Sequence, residues 1–416
     1  MKTLIFNISE LVTLGPLVKE NRFNHIQDED LGILKNAWLL IEDGKIAARG
    51  DSHLPNLKNT ICVDANNGIV MPGLIDSHTH PVFAGSRAHE FSKRLRGKSY
   101  GDIAREGGGI TYSVEQTRQA TVESLAQNAT QHMKSMLSLG VTTVEAKSGY
   151  GLSVESELHQ LRALKLAAQM TPQRVISTCL ALHAIPKESQ NERDFIHEMA
   201  TQLLPRIAQE GLATFVDAFV EKDYFSAQEA KTWFLEAKKL GLGTRLHADE
   251  FSNCEGAALA ASLGAASADH LQFASDDGLR KMAETHVVAT LLPGTSLYTG
   301  IPFANGRNMA DLGCAVAIAS DFNPGSSPFE NLRFLAAMAG VHSKLKPAEI
   351  IAGITFVASK ALGLQSKVGS LEPGYEADLG IYSSSSIEEW LADMGKTKPQ
   401  LVFIAGKVAY RSSSIF

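Results

Sequence analysis

The chain has 416 residues, 44% of them hydrophobic and 20% charged, with a formal net charge of −6 at pH 7. That is enough chain for one large domain with an accessory unit and a substantial core, and the composition is that of an ordinary globular protein. The acidic balance gives no reason to expect nucleic acid or an anionic membrane as partner, so an anionic substrate would need a cation supplied by its own site.

The N-terminal run MKTLIFNISELVTLG is only briefly apolar and is not followed by a small-residue cleavage site. No later stretch is apolar for the length of a membrane span, and the expectation is a cytoplasmic protein. Residues 38–50, WLLIEDGKIAARG, pair two β-prone runs around a Gly-Lys turn, and residues 401–411, LVFIAGKVAYR, do the same at the other end. Between 69 and 365, short β-prone runs alternate with helical stretches, the pattern of parallel βα units. The runs lie at 73–78, 141–146, 174–181, 214–220, 243–248, 267–271, 286–292 and 315–321. Eight such strands close a (β/α)8 barrel.

Helix boundaries carry their own chemistry: Ser226 and Glu229 form a capping box closed by Gly241, and Val122, Leu125, Ala129, Met133 and Met136 recur at helical spacing before Gly140. The stretch VGSLEPGYEADLGIY at 368–382 leads from the barrel back into a strand. The fold class is therefore α/β, a TIM-type barrel at 69–365 with a smaller discontinuous β domain built from residues 1–68 and 366–416. Cys62, Cys179, Cys254 and Cys314 lack CxxC spacing, and are expected to be buried, reduced thiols.

His78-Thr79-His80 ends the first barrel strand. Side chains two apart on a strand share a face, so both imidazoles can meet one metal ion at the barrel's C-terminal rim, where this architecture places its chemistry. His247, His270 and Asp321 end strands five, six and eight. Four imidazoles and a carboxylate on one rim suit a transition metal better than magnesium or calcium. Taken singly, His247 or His270 also reads as a hydrogen-bonded rim residue. Glu250, three residues after His247, can accept a proton from water and deliver it to a leaving nitrogen, or can serve as a glutamate favoured at a helix N-terminus.

The run PGLIDSHTHPVFAGSR at 72–87, HADE around His247, DHL at 269–271 and SDFNPGSSP at 320–328 resemble the amidohydrolase superfamily. Within it, AGSRAHEFSKRLRGKSY at 84–100, GGGI at 107–110, EAKSGYGL at 145–152 and the segment around His183 are similar to the imidazolonepropionase family. The resemblance covers nearly the whole chain. It implies one zinc or iron ion per chain on His78, His80, His247 and Asp321, and substrate contacts from Arg87, Tyr150, His183 and Glu250, with Asn323, Gly325 and Ser326 lining the site. It also implies a small-molecule substrate, 4-imidazolone-5-propanoate, and a homodimer. Arg87 offers the fork that suits a small carboxylate, although without the family it reads sooner as a surface or salt-bridged arginine. Tyr150 and His183 read, on spacing alone, as packed residues or ligands.

Some relatives bridge two metals with a carboxylated lysine at the end of strand four. Here Glu221 and Lys222 lie near that end, whereas Lys147 ends strand two, so the expectation is a mononuclear site with Lys147 in a supporting role. Gly107–Gly109 lack the strand and helix context of a nucleotide loop and read as a mobile loop at the site's mouth. The expected reaction is hydrolysis of a cyclic amide, with Glu250 and His270 sharing proton transfer and oxyanion stabilisation. A deaminase of a nucleobase-like heterocycle and an inactive scaffold on the same fold remain open alternatives.

Overall fold

The structure, a computed structural model, describes residues 2–413 apart from 56, 57, 99–101, 103–105, 107 and 190. The first segment supplies β1 (Lys2–Leu11), β2 (Leu34–Glu42), β3 (Lys45–Gly50), β4 (Thr60–Asp64) and β5 (Ile69–Pro72). The barrel strands are β6 (Leu74–Asp76), β7 (Val141–Lys147), β8 (Arg174–Leu182), β9 (Phe215–Val220), β10 (Gly243–Ala248), β11 (Ser267–His270), β12 (Val288–Leu291) and β13 (Ala315–Ile318). The last segment returns as β14 (Leu379–Tyr382), β15 (Leu401–Ile404) and β16 (Lys407–Arg411).

β6 to β13 pair in chain order, every pair parallel. Just beyond the strand ends, a parallel bridge joins Thr79 to Phe322; Asp321 N–H donates to His78 O (3.0 Å) and His80 N–H to Phe322 O (2.7 Å). These bonds tie the first strand to the eighth at the C-terminal rim. All of β7 is buried, because helices cover a barrel strand's outer face and facing side chains fill its inner one. The helix Val122–Leu137 shows how the outer layer is specified. Thr121 caps it by accepting the Ser124 N–H, and Leu125, Ala129, Met133 and Met136 are buried along one stripe. Ser226 caps the helix Ala227–Lys239 in the same way.

The two ends of the chain meet in a second sheet of order β16-β15-β14-β5-β1-β2-β3, with β4 alongside β1. It has its own core, in which Ile5, Ile8 and Leu11 of β1 pack with Leu39, Ile41, Ile381 and Phe403. β5 runs through Gly73 directly into β6, so one continuous stretch joins the terminal sheet to the strand that carries the HxH pair. A Cβ at Gly73 would lie 2.3 Å from Thr142 Oγ1, which explains the absence of a side chain there.

The cysteine expectation is corrected at two positions. Cys179 and Cys314 are buried, but Cys62 is exposed and Cys254 half-buried, all four as free thiols. Cys62 sits in β4, which among the described residues pairs only with β1 and leaves most of its side chains facing solvent. Among the described residues no helix is long and apolar enough to cross a membrane.

Candidate active site and metal centre

Short β6 lets the chain run on in extended form, so that His78 and His80 both turn inward at the rim. Their Nε2 atoms are 3.2 Å apart, and His247 Nε2 lies 3.4 Å from that of His80. Asp321 Oδ1 stands 3.4 Å from His78 Nε2 and 3.3 Å from His80 Nε2. A second grouping of ligand atoms within 4.8 Å of one another joins His78, His247 and His270.

Buried carboxylates decide which nitrogens point inward. His78 Nδ1–H donates to Asp269 Oδ2 (2.6 Å), and His247 Nδ1–H donates to Asp217 Oδ1 (3.1 Å). Both rings therefore present bare Nε2 lone pairs to the centre. The spacings match the edges, about 3.3 Å, of a tetrahedron of N and O ligands at roughly 2.0–2.1 Å from a central ion. The donor set fits a zinc-type metal. Thr295 Oγ1 donates to Asp321 Oδ2, which leaves Oδ1 directed at the histidines. Asp321 and His270 hold left-handed backbones, φ +53° and +78°, conformations that side chains other than glycine adopt at a cost and that here turn both groups off their strand ends.

All the sequence-derived candidates except His78 and Gly325 wall one cavity of about 680 Å³. His78 lies behind it, wholly buried. Glu250 Oε2 is 3.6 Å from His270 Nε2. Burial, followed by the charges of Asp321 and Glu221, pushes the Glu250 carboxyl well above its ordinary range. Burial holds His270 and His183 well below the usual imidazole value, so both rings are neutral. His183 Nδ1–H donates to Gly149 O (3.0 Å), which leaves Nε2 as an acceptor. Tyr150 is buried beside it, in a turn pinned by Gln160 Oε1 on the Tyr150 N–H and Glu157 Oε1 on the N–H groups of Gly151 and Leu152.

Arg87 is buried and forked onto Glu90, Nε to Oε1 (3.1 Å) and Nη2 to Oε2 (2.9 Å). Glu90 Oε1 also accepts the Gly109 N–H, so the glycine run helps to fix the pair; Gly107 lies outside the described residues. Gly325 backs onto the guanidinium, and a Cβ there would lie 1.8 Å from Arg87 Nη1. Asn323 Oδ1 accepts the N–H groups of Gly325 and Ser326, holding this loop against Arg87.

Residues 69–409 match the Amidohydrolase family. The imidazolonepropionase of Geobacillus thermodenitrificans is 40% identical over 418 residues, covering 98% of this chain and 97% of its own. That of Clostridium tetani is 40% identical, covering 99% and 98%. The chain belongs to the imidazolonepropionase family of amidohydrolases. It is a metal-dependent hydrolase of carbon–nitrogen bonds with a small-molecule substrate. An adenosine deaminase of Xanthomonas campestris solved with bound zinc shares the fold, with a TM-score of 0.71 at 19% identity over 98% of this chain and 93% of that one.

Beneath the rim of this amidohydrolase lies a layer that spacing did not reveal. Lys147 Nζ donates to Glu145 Oε1 (2.8 Å) and Asp217 Oδ2 (2.9 Å), and Arg245 Nη2 donates to Asp269 Oδ2 (3.1 Å) and Ser77 O (2.6 Å). All five charged groups are wholly buried. Lys147 thus braces the acid that orients His247. The available signal was a charged residue inside an apolar strand, such as Asp217 in FVDAFV, or Arg245 two places before His247 on the same face.

Proposed function

We propose that this site opens the ring of 4-imidazolone-5-propanoate by hydrolysis of its cyclic amide, giving N-formimidoyl-L-glutamate. The observation that carries the reading is the meeting, in one cavity, of a metal-ligand cluster, a carboxylate–imidazole pair and a buried guanidinium. His78, His80, His247 and Asp321 would hold one zinc or iron ion. When bound, that ion supplies the Lewis acidity that eases deprotonation of water.

Glu250, facing the cavity with its basicity raised by burial, takes the proton of the attacking water. It then returns the proton to the ring nitrogen as the C–N bond breaks. His270, held neutral, donates a hydrogen bond to the oxyanion that develops on the former carbonyl. The acceptor nitrogen of His183 receives a ring N–H. Arg87 meets the propionate with Tyr150 beside it, while Glu90 keeps the guanidinium's plane fixed.

The test compares the propionate substrate with an analogue lacking the carboxylate, following both the ring-opened product and ammonia. Ring opening of the propionate without ammonia, and poor turnover of the analogue, is expected. Equal turnover of both, or release of ammonia, would remove the reading in favour of heterocycle deamination.

A further inference from the structure

Glu221 follows β9 at the rim, is 3% exposed and lines the same cavity, yet it makes no ion pair among the described residues. Apart from the N–H of its neighbour Lys222, what its carboxylate accepts comes from one short stretch. Oε2 takes the N–H groups of Phe251 (2.8 Å) and Ser252 (3.3 Å), and Oε1 takes the Ser252 hydroxyl and the Cys254 thiol (3.6 Å). Phe251 and Ser252 are the two residues that follow Glu250. On the other side, Asp249, with φ +53°, accepts the N–H groups of Cys254, Gly256 and Ala257. The two peptides that follow Glu250 are therefore clamped by Glu221, while the Asp249 carboxylate grips the turn a few residues further on. Its side chain needs the Glu221 clamp, because beyond the 3.6 Å contact with His270 no hydrogen bond among the described residues reaches its carboxylate.

We infer that Glu221 is the positioning residue for Glu250, fixing where that carboxylate points by clamping the two peptides that follow it. The inference rests on the reading of Glu250 as the proton acceptor. A misplacement of an ångström at a reacting group is costly, and a carboxylate aimed only through its backbone has no other means of correction. The negative charge of Glu221 also favours the proton on Glu250, which strengthens it as a base.

The experiment is a double-mutant cycle in the metal-loaded full-length protein. Glu221→Gln keeps the volume but turns an –NH2 towards N–H and O–H donors. A kcat loss of about tenfold is expected, with KM and metal content within about twofold of wild type. Glu221→Asp, which keeps the acceptors, should recover part of that loss. In a Glu250→Gln background, Glu221→Gln should cost less than about twofold more, since the group it aims is already gone. The same fractional loss in both backgrounds, or no loss in wild type, would overturn the inference. A Glu250→Gln variant as fast as wild type would instead overturn the reading of Glu250 itself. If Glu221→Gln fails to fold, Ser252→Ala removes one clamped hydroxyl and must show a smaller kcat loss with the same non-additivity.

Discussion

The His78, His80 and Asp321 atoms sit at ligand spacing, so each proposed ligand should be indispensable to the ion and dispensable to the core. His78→Ala and Asp321→Ala are expected to lose metal and activity together while circular dichroism stays native; full activity in metal-depleted protein would refute the ligand set. Glu250→Gln should retain metal and lose turnover by on the order of 10²-fold, the usual contribution of a positioned base. Arg87 calls for a paired design. Arg87→Met alone leaves Glu90 as a buried, unpaired carboxylate, at a cost of about 3 kcal/mol or more in stability. Arg87→Met with Glu90→Gln should recover most of that stability and still lose about 1.5–3 kcal/mol in kcat/KM for the propionate substrate, mainly through KM. A double variant with wild-type kcat/KM would show that Arg87 is not the anchor. The rim groups were legible in the sequence because a histidine or aspartate closing a β-prone run has few structural reasons to be there. Asp217 and Asp269 were not, because their histidine partners are 30 and 191 residues away and the pairings exist only after the barrel has closed.

At the scale of elements, the eight barrel strands were legible as short β-prone runs alternating with helical stretches, and the Gly-Lys turns marked the hairpins of the terminal sheet. The run from 69 to 76 was harder to read. Ile69–Pro72 belongs to the terminal sheet and Leu74–Asp76 to the barrel, and both are buried, so composition does not change where the chain passes between them. Cys62 was misread for a related reason: a short strand paired on one side keeps a β-like sequence but not a β-core environment. Gly73 marks the passage. Gly73→Ala should push against Thr142 and destabilise the fold by about 1–3 kcal/mol, the usual cost of overpacking. Because β6 leads directly to the HxH pair, metal affinity measured by chelator competition should fall as well. Unchanged stability and unchanged affinity would mean that β5 and β6 are not mechanically coupled.

For the whole molecule, metal binding and folding should be linked, since the proposed ligands come from the first, fifth and eighth barrel strands and are brought together only in the closed barrel. Stripping the ion should lower Tm, and adding it back at about 1,000 times Kd should restore about 4 kcal/mol of stability. A chelated protein that melts at the same temperature as the loaded one would indicate that no ion is held there. The most direct test is to titrate metal-free protein with zinc or iron and follow, in the same sample, conversion of freshly generated 4-imidazolone-5-propanoate to N-formimidoyl-L-glutamate. Activity is expected to rise in proportion to metal and to level off at one equivalent per chain. No ring opening in the metal-saturated protein, or a plateau only at two equivalents, would contradict a single-metal imidazolone hydrolase.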